Sequence, residues 1–381
     1  MHVIKQYLGF GEAMPGRDST AGGIGPSGLE NTYNNCYCNA VLQALYPIHA
    51  FRDRAVRLSQ SEAEISSALG QLYERCTGLN GVQSPKKLLQ KICKKNEYFV
   101  LGDQQDAHEF LTYLINTMMD EIKALNNGDQ PSGGAGNDYS RHRGGDGGSG
   151  RDLAGKCRAP EITSQKEQKS ERTWLSRLVE GSLKSETTCD GCLTVTGTLE
   201  PFITLSVDIF ENCDIASCIQ QYCAPERLTG KNQFYCDRCR EYTDASKRVV
   251  FEKLPPIFIV HLKRFRYTAV SPNESYSAMY DSFERLPYPV ISNRRVTLQS
   301  RKQRSTVVYE LFAVVNHVGT SPSYGHYNAI TEVDGRWYCC DDSSTVRVSD
   351  VSYELGDEQS GGNSNSYILF YRMTALADRQ L

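Results

Sequence analysis

Two Cys-x-x-Cys knuckles constrain the fold of this chain more than any other feature. They are Cys189-Asp190-Gly191-Cys192 and Cys236-Asp237-Arg238-Cys239, with 43 residues between them (193–235). Four thiolates suit a tetrahedral zinc ion, because each knuckle offers two sulfurs from one tight turn. The gap is too long for a compact zinc finger, so the knuckles are read as two hairpin tips that meet at the end of longer strands. Gly191 fits a turn whose backbone folds back to aim both sulfurs inward. One such motif alone would leave a dithiol redox pair open. Two favour a structural zinc site that Cys189, Cys192, Cys236 and Cys239 fill completely. Cys213, Cys218 and Cys223 recur every five residues nearby. Cys218 falls on a short apolar helix with Ile215, Ile219 and Tyr222, so core packing is expected for it.

Composition narrows the setting. A chain of 381 residues that is 39% hydrophobic and 23% charged is that of a soluble globular protein with room for a large core. No run reaches the roughly 18 apolar residues of a membrane span, and the N-terminus lacks a signal-peptide apolar segment. The 14 cysteines are therefore expected in a reducing compartment, cytoplasmic or nuclear, where clustered thiols bind metal or do chemistry. A formal charge of −3 gives no global case for nucleic acid or membrane as a partner.

Helices come first and strands later. Residues 1–27 are rich in Gly, Pro and Ser and read as a flexible segment. Cys36–Leu45 reads as a helix ended by Pro47, and Glu62–Cys76 and Pro85–Lys95 as two more, the last with Ser84 as N-cap. From Gln104 to Leu125, Phe110, Leu111, Leu114, Ile115, Met118, Met119 and Ile122 repeat at helical spacing and predict one broad buried stripe. Residues 126–170 hold almost no large apolar side chains and read as a disordered insertion. Strand patterns follow at Phe202–Asp208, Ile257–Phe265, Val307–Val315, Tyr327–Val333 and Ser366–Tyr371. Without regular β-α alternation, this order predicts an α+β fold with an antiparallel sheet.

The chemistry-bearing residues sit at three places. Cys36 opens a helix, where unsatisfied amides and the dipole favour thiolate over thiol. Asn35 is expected to N-cap that helix, and Cys38 to be buried. His326 lies in Gly325-His326-Tyr327, and Asp341 closes the strand Arg336–Cys340. A thiol, an imidazole and a carboxylate are the parts of a cysteine acyl-transfer site. His326 would take the Cys36 proton and later protonate the leaving amine, and Asp341 would orient the ring. Asn31 and the Cys36 N–H would donate to the oxyanion.

These segments resemble the ubiquitin-specific proteases. Gly28 to Leu45 resembles their cysteine box, and Gln104-Gln105-Asp106-Ala107-His108-Glu109-Phe110-Leu111 their glutamine-aspartate box. Leu254-Pro255-Pro256 and His261-Leu262-Lys263-Arg264-Phe265 resemble the strand that enters the palm. Gly325-His326-Tyr327, Trp337, Asp341-Asp342 and Ser366–Tyr371 resemble the histidine box and last strand. Within the family, the Cys36–Tyr46 segment is most similar to the subgroup of hydrolases 12 and 46.

The resemblance implies a papain-like right hand: a helical thumb (28–125), β-rich zinc-binding fingers (171–250) and an antiparallel-sheet palm (251–381), in one catalytic domain over 28–381. It implies hydrolysis at the ubiquitin C-terminus, with ubiquitinated proteins as substrates and a WD-repeat β-propeller as activator. By position, Cys36 would be nucleophile, His326 base, Asp341 orienter and Asn31 oxyanion donor, with Asp342 assisting Asp341. Asp106 and Glu109 would hold the arginine-bearing ubiquitin tail, beside Tyr327. The segment Val318–Tyr324 would be a mobile loop next to the tail channel.

Two features depart from the family pattern. Asn35 replaces Thr, one good cap for another. Tyr33 replaces Gly, where a positive φ or close backbone approach would impose strain or a steric block. A ubiquitin-binding pseudo-protease with little turnover is therefore the second reading. The third, a zinc-dependent nucleic-acid module, would need a longer basic stripe than Lys263-Arg264-Phe265-Arg266-Tyr267.

Overall fold

A computed structural model describes residues 25–78, 81–128, 172–267, 283–303, 305–321 and 324–378. Most of the expected flexible N-terminus and nearly all of the expected insertion lie outside the described residues.

The thumb is five helices: α1 (Cys36–Leu45), α2 (His49–Arg57), α3 (Glu64–Gly78), α4 (Lys86–Lys95) and α5 (Ala107–Asn127). All ten residues of α1 are buried, so it is the central helix of the bundle. Helix α4 starts one residue later than the sequence predicts, with Pro85 rather than Ser84 at the N-cap. Helix α5 buries Phe110, Leu111, Leu114, Ile115, Met118 and Ile122 as one stripe. Gly128, left-handed at φ 68°, ends it, so the helix runs two residues past the expected boundary at Leu125. A short α6 (Trp174–Val179) is capped by Thr173 Oγ1, which accepts from Ser176 N at 3.0 Å.

Strands follow. β1 (Gly181–Cys189), β2 (Val195–Phe202), β3 (Thr204–Asp208), α7 (Ile215–Tyr222), β4 (Glu226–Leu228), β5 (Phe234–Cys236), β6 (Glu241–Thr243) and β7 (Ala245–Lys253) come first. The fingers are a four-stranded sheet in the order β2-β1-β7-β4, tipped by the β5–β6 hairpin. The expected strand Phe202–Asp208 is divided between the end of β2 and β3.

The palm adds β8 (Ile257–Lys263), β9 (Phe265–Tyr267), β10 (Phe283–Arg285), β11 (Arg295–Ser300), β12 (Ser305–Ser321), β13 (Tyr324–Val333), β14 (Arg336–Asp341), β15 (Ser344–Val348), the short α8 (Ser352–Leu355) and β16 (Ser366–Asp378). Its sheet runs β15-β14-β13-β12-β16-β8-β3, with β11 also on β12. It is antiparallel except for the pair β3–β8, which is parallel and makes the sheet mixed.

The palm sheet is covered on both faces, which explains its unbroken apolar runs. Ile257, Ile259, Ile368 and Phe370 pack into a first core with the thumb helices. Their neighbours Phe258, Val260, Leu369 and Tyr371 pack into a second core with α7 and the base of the fingers. Alternate residues of one strand thus serve opposite cores. The expected strand Ile257–Phe265 breaks at Arg264, which is fully buried. Its guanidinium donates to the carbonyls of Ser366, Tyr288 and Asn363, and burial pushes its pKa down to about 10.

Candidate active site

Helix α1 delivers Cys36 at its first turn, and strands β13 and β14 deliver His326 and Asp341. His326 Nε2 lies 2.6 Å from Asp341 Oδ1, which leaves Nδ1 for the thiol. The imidazole is pushed up to about 9, first by hydrogen bonding with the Cys36 sulfur and then by the Asp341 carboxylate. Both partners favour the charged ring. Cys36 Sγ is also 4.0 Å from Gly325 O. The three sequence-predicted reacting groups therefore meet, although one comes from the start of the thumb and two from the last third of the chain.

Asn35 occupies the N-cap of α1 but its side chain does not cap. This corrects the sequence expectation. Asn35 Oδ1 accepts from Tyr33 N at 3.1 Å, and Nδ2 donates to Glu30 O and Asn39 Oδ1 at 3.0 Å each. The side chain turns back to brace the preceding loop, so it leaves the first-turn amides of α1 to whatever anion sits at Cys36. Left-handed backbone at Tyr33 is absent, and the positive φ falls instead on its neighbour Asn34 (φ 52°). Asn tolerates that region. The half-buried Tyr33 ring lies beside Lys86, whose Nζ is 5.6 Å from the ring centre.

Asp342 has a different place from the one expected. Its oxygens lie near His326 and Asp341, yet they are bonded elsewhere. Oδ2 accepts from Asn31 Nδ2 at 2.7 Å, and Oδ1 from Asn39 Nδ2 at 2.8 Å. Asn31 Oδ1 in turn accepts from Asn35 N at 2.8 Å. Asp342 therefore anchors Asn31 and Asn39, while Asp341 is the carboxylate bonded to the imidazole. Gly28 makes this contact fit: a Cβ there would lie 2.1 Å from Ser343 O. The bond from Leu29 N to Asp342 O, 2.7 Å, closes the same turn.

Two expected substrate contacts are corrected. Asp106 is buried and caps α5, with Oδ1 accepting from His108 N (2.7 Å) and Glu109 N (2.9 Å). Its other oxygen accepts from Tyr367 Oη. A carboxylate so committed is a structural cap rather than a free clamp. Tyr327 is 2% exposed, and its ring packs against His317 and Tyr367 behind the site. Glu109 remains exposed on the first turn of α5, where Tyr98 hydrogen-bonds to it. The expected loop Val318–Tyr324 is largely hairpin, since β12 runs through Ser321 and β13 starts at Tyr324.

Sequence reasoning placed Gln104, Gly325 and Asn39 in the motifs but assigned none of them the role of holding this centre in place. Gln104 Oε1 accepts from Gly325 N at 2.7 Å, which ties the thumb to the strand bearing His326. Gly325 adopts φ 151°, and a Cβ there would sit 2.5 Å from both His317 Nε2 and Val318 O. Asn39 lies three residues after Cys36, on the same helix face. That spacing could have revealed it.

The four knuckle cysteines converge as expected. Cys189 Sγ lies 3.8 Å from Cys239 Sγ, and Cys192 Sγ 3.6 Å from Cys236 Sγ. Tetrahedral zinc with Zn–S of about 2.3 Å requires sulfurs about 3.8 Å apart, so the cluster fits the ion. Thr243 and Thr194 hydroxyls sit 3.2 Å from Cys189 and Cys192. Their hydrogen bonds lower both thiols, Cys192 to about 6. The fold-back does not depend on Gly191. In both knuckles the residue after the second cysteine is left-handed, Leu193 at φ 58° and Arg240 at φ 60°. Each donates its N–H to the carbonyl of the first cysteine, at 2.9 and 2.7 Å.

Known proteins resemble this chain in sequence and in fold. The family model described as ubiquitin carboxyl-terminal hydrolase matches residues 27–371. Ubiquitin carboxyl-terminal hydrolase 4 of Arabidopsis thaliana is 31% identical over 357 residues, covering 90% of this chain and 92% of its own. Ubiquitin carboxyl-terminal hydrolase 12 of Salmo salar is 33% identical over 361 residues, covering 91% and 89%. Among solved structures, the SAGA Ubp8/Sgf11/Sus1/Sgf73 DUB module bound to ubiquitin aldehyde contains a chain with the same fold. That match has a TM-score of 0.65 at 22% identity, covering 92% of this chain and 70% of the other.

Proposed function

Because the chain belongs to the ubiquitin carboxyl-terminal hydrolase family, whose members are cysteine-type deubiquitinating peptidases, we propose that it cleaves isopeptide or peptide bonds at the C-terminus of ubiquitin through Cys36, His326 and Asp341. The observation that carries this reading is the His326–Asp341 bond of 2.6 Å beside a cysteine at the head of α1.

The steps follow from the groups present. His326 takes the Cys36 proton, and the sulfur attacks the carbonyl carbon of the terminal glycine of ubiquitin. The tetrahedral oxygen takes hydrogen bonds from the Cys36 N–H and from Asn31, whose amide Asp342 aims. His326 then gives its proton to the departing amine, leaving a thioester on Cys36. Deprotonated His326 next activates water, which releases the ubiquitin carboxylate and restores the thiol. Asp341 holds the ring's orientation throughout and fixes its tautomer whenever the ring is neutral. Glu109 is the exposed carboxylate placed to meet the basic tail.

Tyr33 adopts no left-handed backbone, which favours an active enzyme over a pseudo-protease. Zinc in the fingers is structural in this reading. A reducing compartment, cytoplasm or nucleus, is its setting, since both the nucleophile and the zinc ligands need reduced cysteine. The WD-repeat activator is implied by the resemblance of the Cys36–Tyr46 segment to hydrolases 12 and 46.

The deciding test is turnover of a ubiquitin C-terminal fluorogenic amide, with and without a β-propeller partner, together with a ubiquitin-vinyl probe. Turnover and a covalent adduct that Cys36→Ala abolishes are expected. Ubiquitin binding without turnover or adduct under all conditions would sink the protease reading.

A further inference from the structure

We propose that the slot between β7 and β11 is a strand-addition site for an extended acidic peptide of a partner protein. The two strands are joined at one end, where Arg301 N donates to Phe251 O (3.0 Å) and Lys302 N to Glu252 O (2.9 Å). Both donors lie in the turn just after β11, so the C-terminal ends of β7 and β11 meet there and the strands part company toward their N-terminal ends. Between them lies a cavity of about 760 Å³, walled by both strands and floored by α7. Its volume is in the range usual for ligand sites. It adjoins the second core and shares no residue with the cysteine centre.

Backbone directions follow from the ladders. Arg294 O accepts from Leu311 N on β12, so Arg294 and every second residue after it bond to β12. Thr297 and Gln299 therefore turn their N–H and C=O the other way, toward the slot. On β7, Phe251 O already points at β11, and Val249, two residues earlier, points the same way. β4 covers that edge of β7 only over Ala245–Lys247, so no strand pairs with it at Val249 among the described residues. Two free edges that face each other across one cavity match a single extended chain, which would form a ladder on each side.

The side chains select what that chain carries. Toward α7 the slot is apolar, with Ile219, Cys223, Phe251 and Leu298. On the opposite face, Lys184, Arg248 and Arg301 converge on one carboxylate, Glu186. Glu252 adds a second carboxylate beside Arg301, so three cations against two anions leave one positive charge in surplus on this face, where Arg248 and Arg301 line the slot. An inserted strand alternates its side chains between these faces. It therefore places apolar residues on α7 and acidic residues against the surplus charge.

The test uses the full chain and two capped heptapeptides, one alternating valine with glutamate and one alternating valine with lysine. Binding is read by fluorescence anisotropy and its location by amide hydrogen exchange. The glutamate peptide is expected to bind about tenfold tighter than the lysine peptide and to slow exchange at Val249, Thr297 and Gln299. Thr297→Pro removes an N–H directed into the slot and no bond to β12, and is expected to weaken the glutamate peptide about tenfold. Arg248→Glu is expected to reverse the preference between the two peptides, which unfolding cannot do. Equal binding of both peptides, protection elsewhere, indifference to Thr297→Pro, or no binding of either to the folded chain overturns the proposal.

Discussion

The cleft at Cys36 and the tip of the fingers are built by opposite means. Seven of the eight residues of β2 are exposed, and β5 and β6 are three residues each. Strands so short and so wet cannot hold one another in place. Four sulfurs from two local turns supply the order instead. The cleft uses no such cross-link. Its parts come from thumb and palm and are held by two buried cores and by bonds such as Gln104–Gly325 and Asn39–Asp342. In the proposed reading, one region delegates its order to a bound ion and the other to packing.

Metal removal breaks this comparison most sharply. A structural zinc contributes on the order of 10 kcal/mol to the folding of the unit that binds it. Chelation, or Cys236→Ser, is expected to empty the site, raise amide exchange throughout the knuckles and weaken ubiquitin binding. Alkylation of Cys36 by iodoacetamide should keep its rate, because thumb and palm do not touch the ion. Equal loss of Cys36 reactivity would mean that the regions are one cooperative unit.

Within the cleft, the adjacent aspartates separate orientation from oxyanion support. Asp341→Asn is expected to lower kcat on the order of 10⁴ by losing the correct tautomer. It also removes a carboxylate that raises His326. The ring then loses its proton at lower pH, so the basic limb of kcat/KM, set near pH 9 by His326, moves to lower pH. Asp342→Ala frees Asn31 and Asn39 instead. Its cost is that of a misplaced oxyanion donor, on the order of 10²–10³, with the basic limb unmoved. Movement of that limb in Asp342→Ala would place Asp342 on the imidazole after all.

The same contrast explains what was legible in the sequence. The knuckles could be read because each pair of ligands is local, and helices α1 and α5 because their apolar period is strong. Cys36, His326 and Asp341 stood out through residue type and setting. The role of Gln104 did not: the resemblance marked the residue, but a neutral amide carries no charge or spacing that points to its partner Gly325, 221 residues away. Asp106 misled because a carboxylate at a helix start reads alike whether it caps or binds. Only its burial against Tyr367 decides. Asp342 misled because a neighbour in sequence need not share a partner; its left-handed backbone, φ 49°, turns it toward the asparagines.

The smallest predicted effect concerns acid and falls on the cleft. His108 and His261 stack with ring centres 3.9 Å apart. They tie α5 to the palm through Thr204 Oγ1 (2.8 Å from His108 Nε2) and Ser206 Oγ (3.0 Å from His261 Nδ1). Burial pushes His108 down to about 4 and His261 well below the ordinary histidine range. Burial also holds His317, under the His326 loop, at about 4. The unfolded chain, with ordinary histidines near 6.5, binds more protons than the folded chain below that pH. The stability tied to these neutral rings is therefore complete above about pH 6.5 and drains as pH falls toward 4. Each ring contributes up to about 1.4 kcal/mol per pH unit within that window. Urea midpoints followed by fluorescence of Trp174, which packs on the core of the thumb, and Trp337, in the palm, should fall between pH 7 and pH 5. His108→Gln should flatten that slope even if it lowers stability at pH 7. An unchanged slope would mean that the stacked pair already carries a proton in the folded protein.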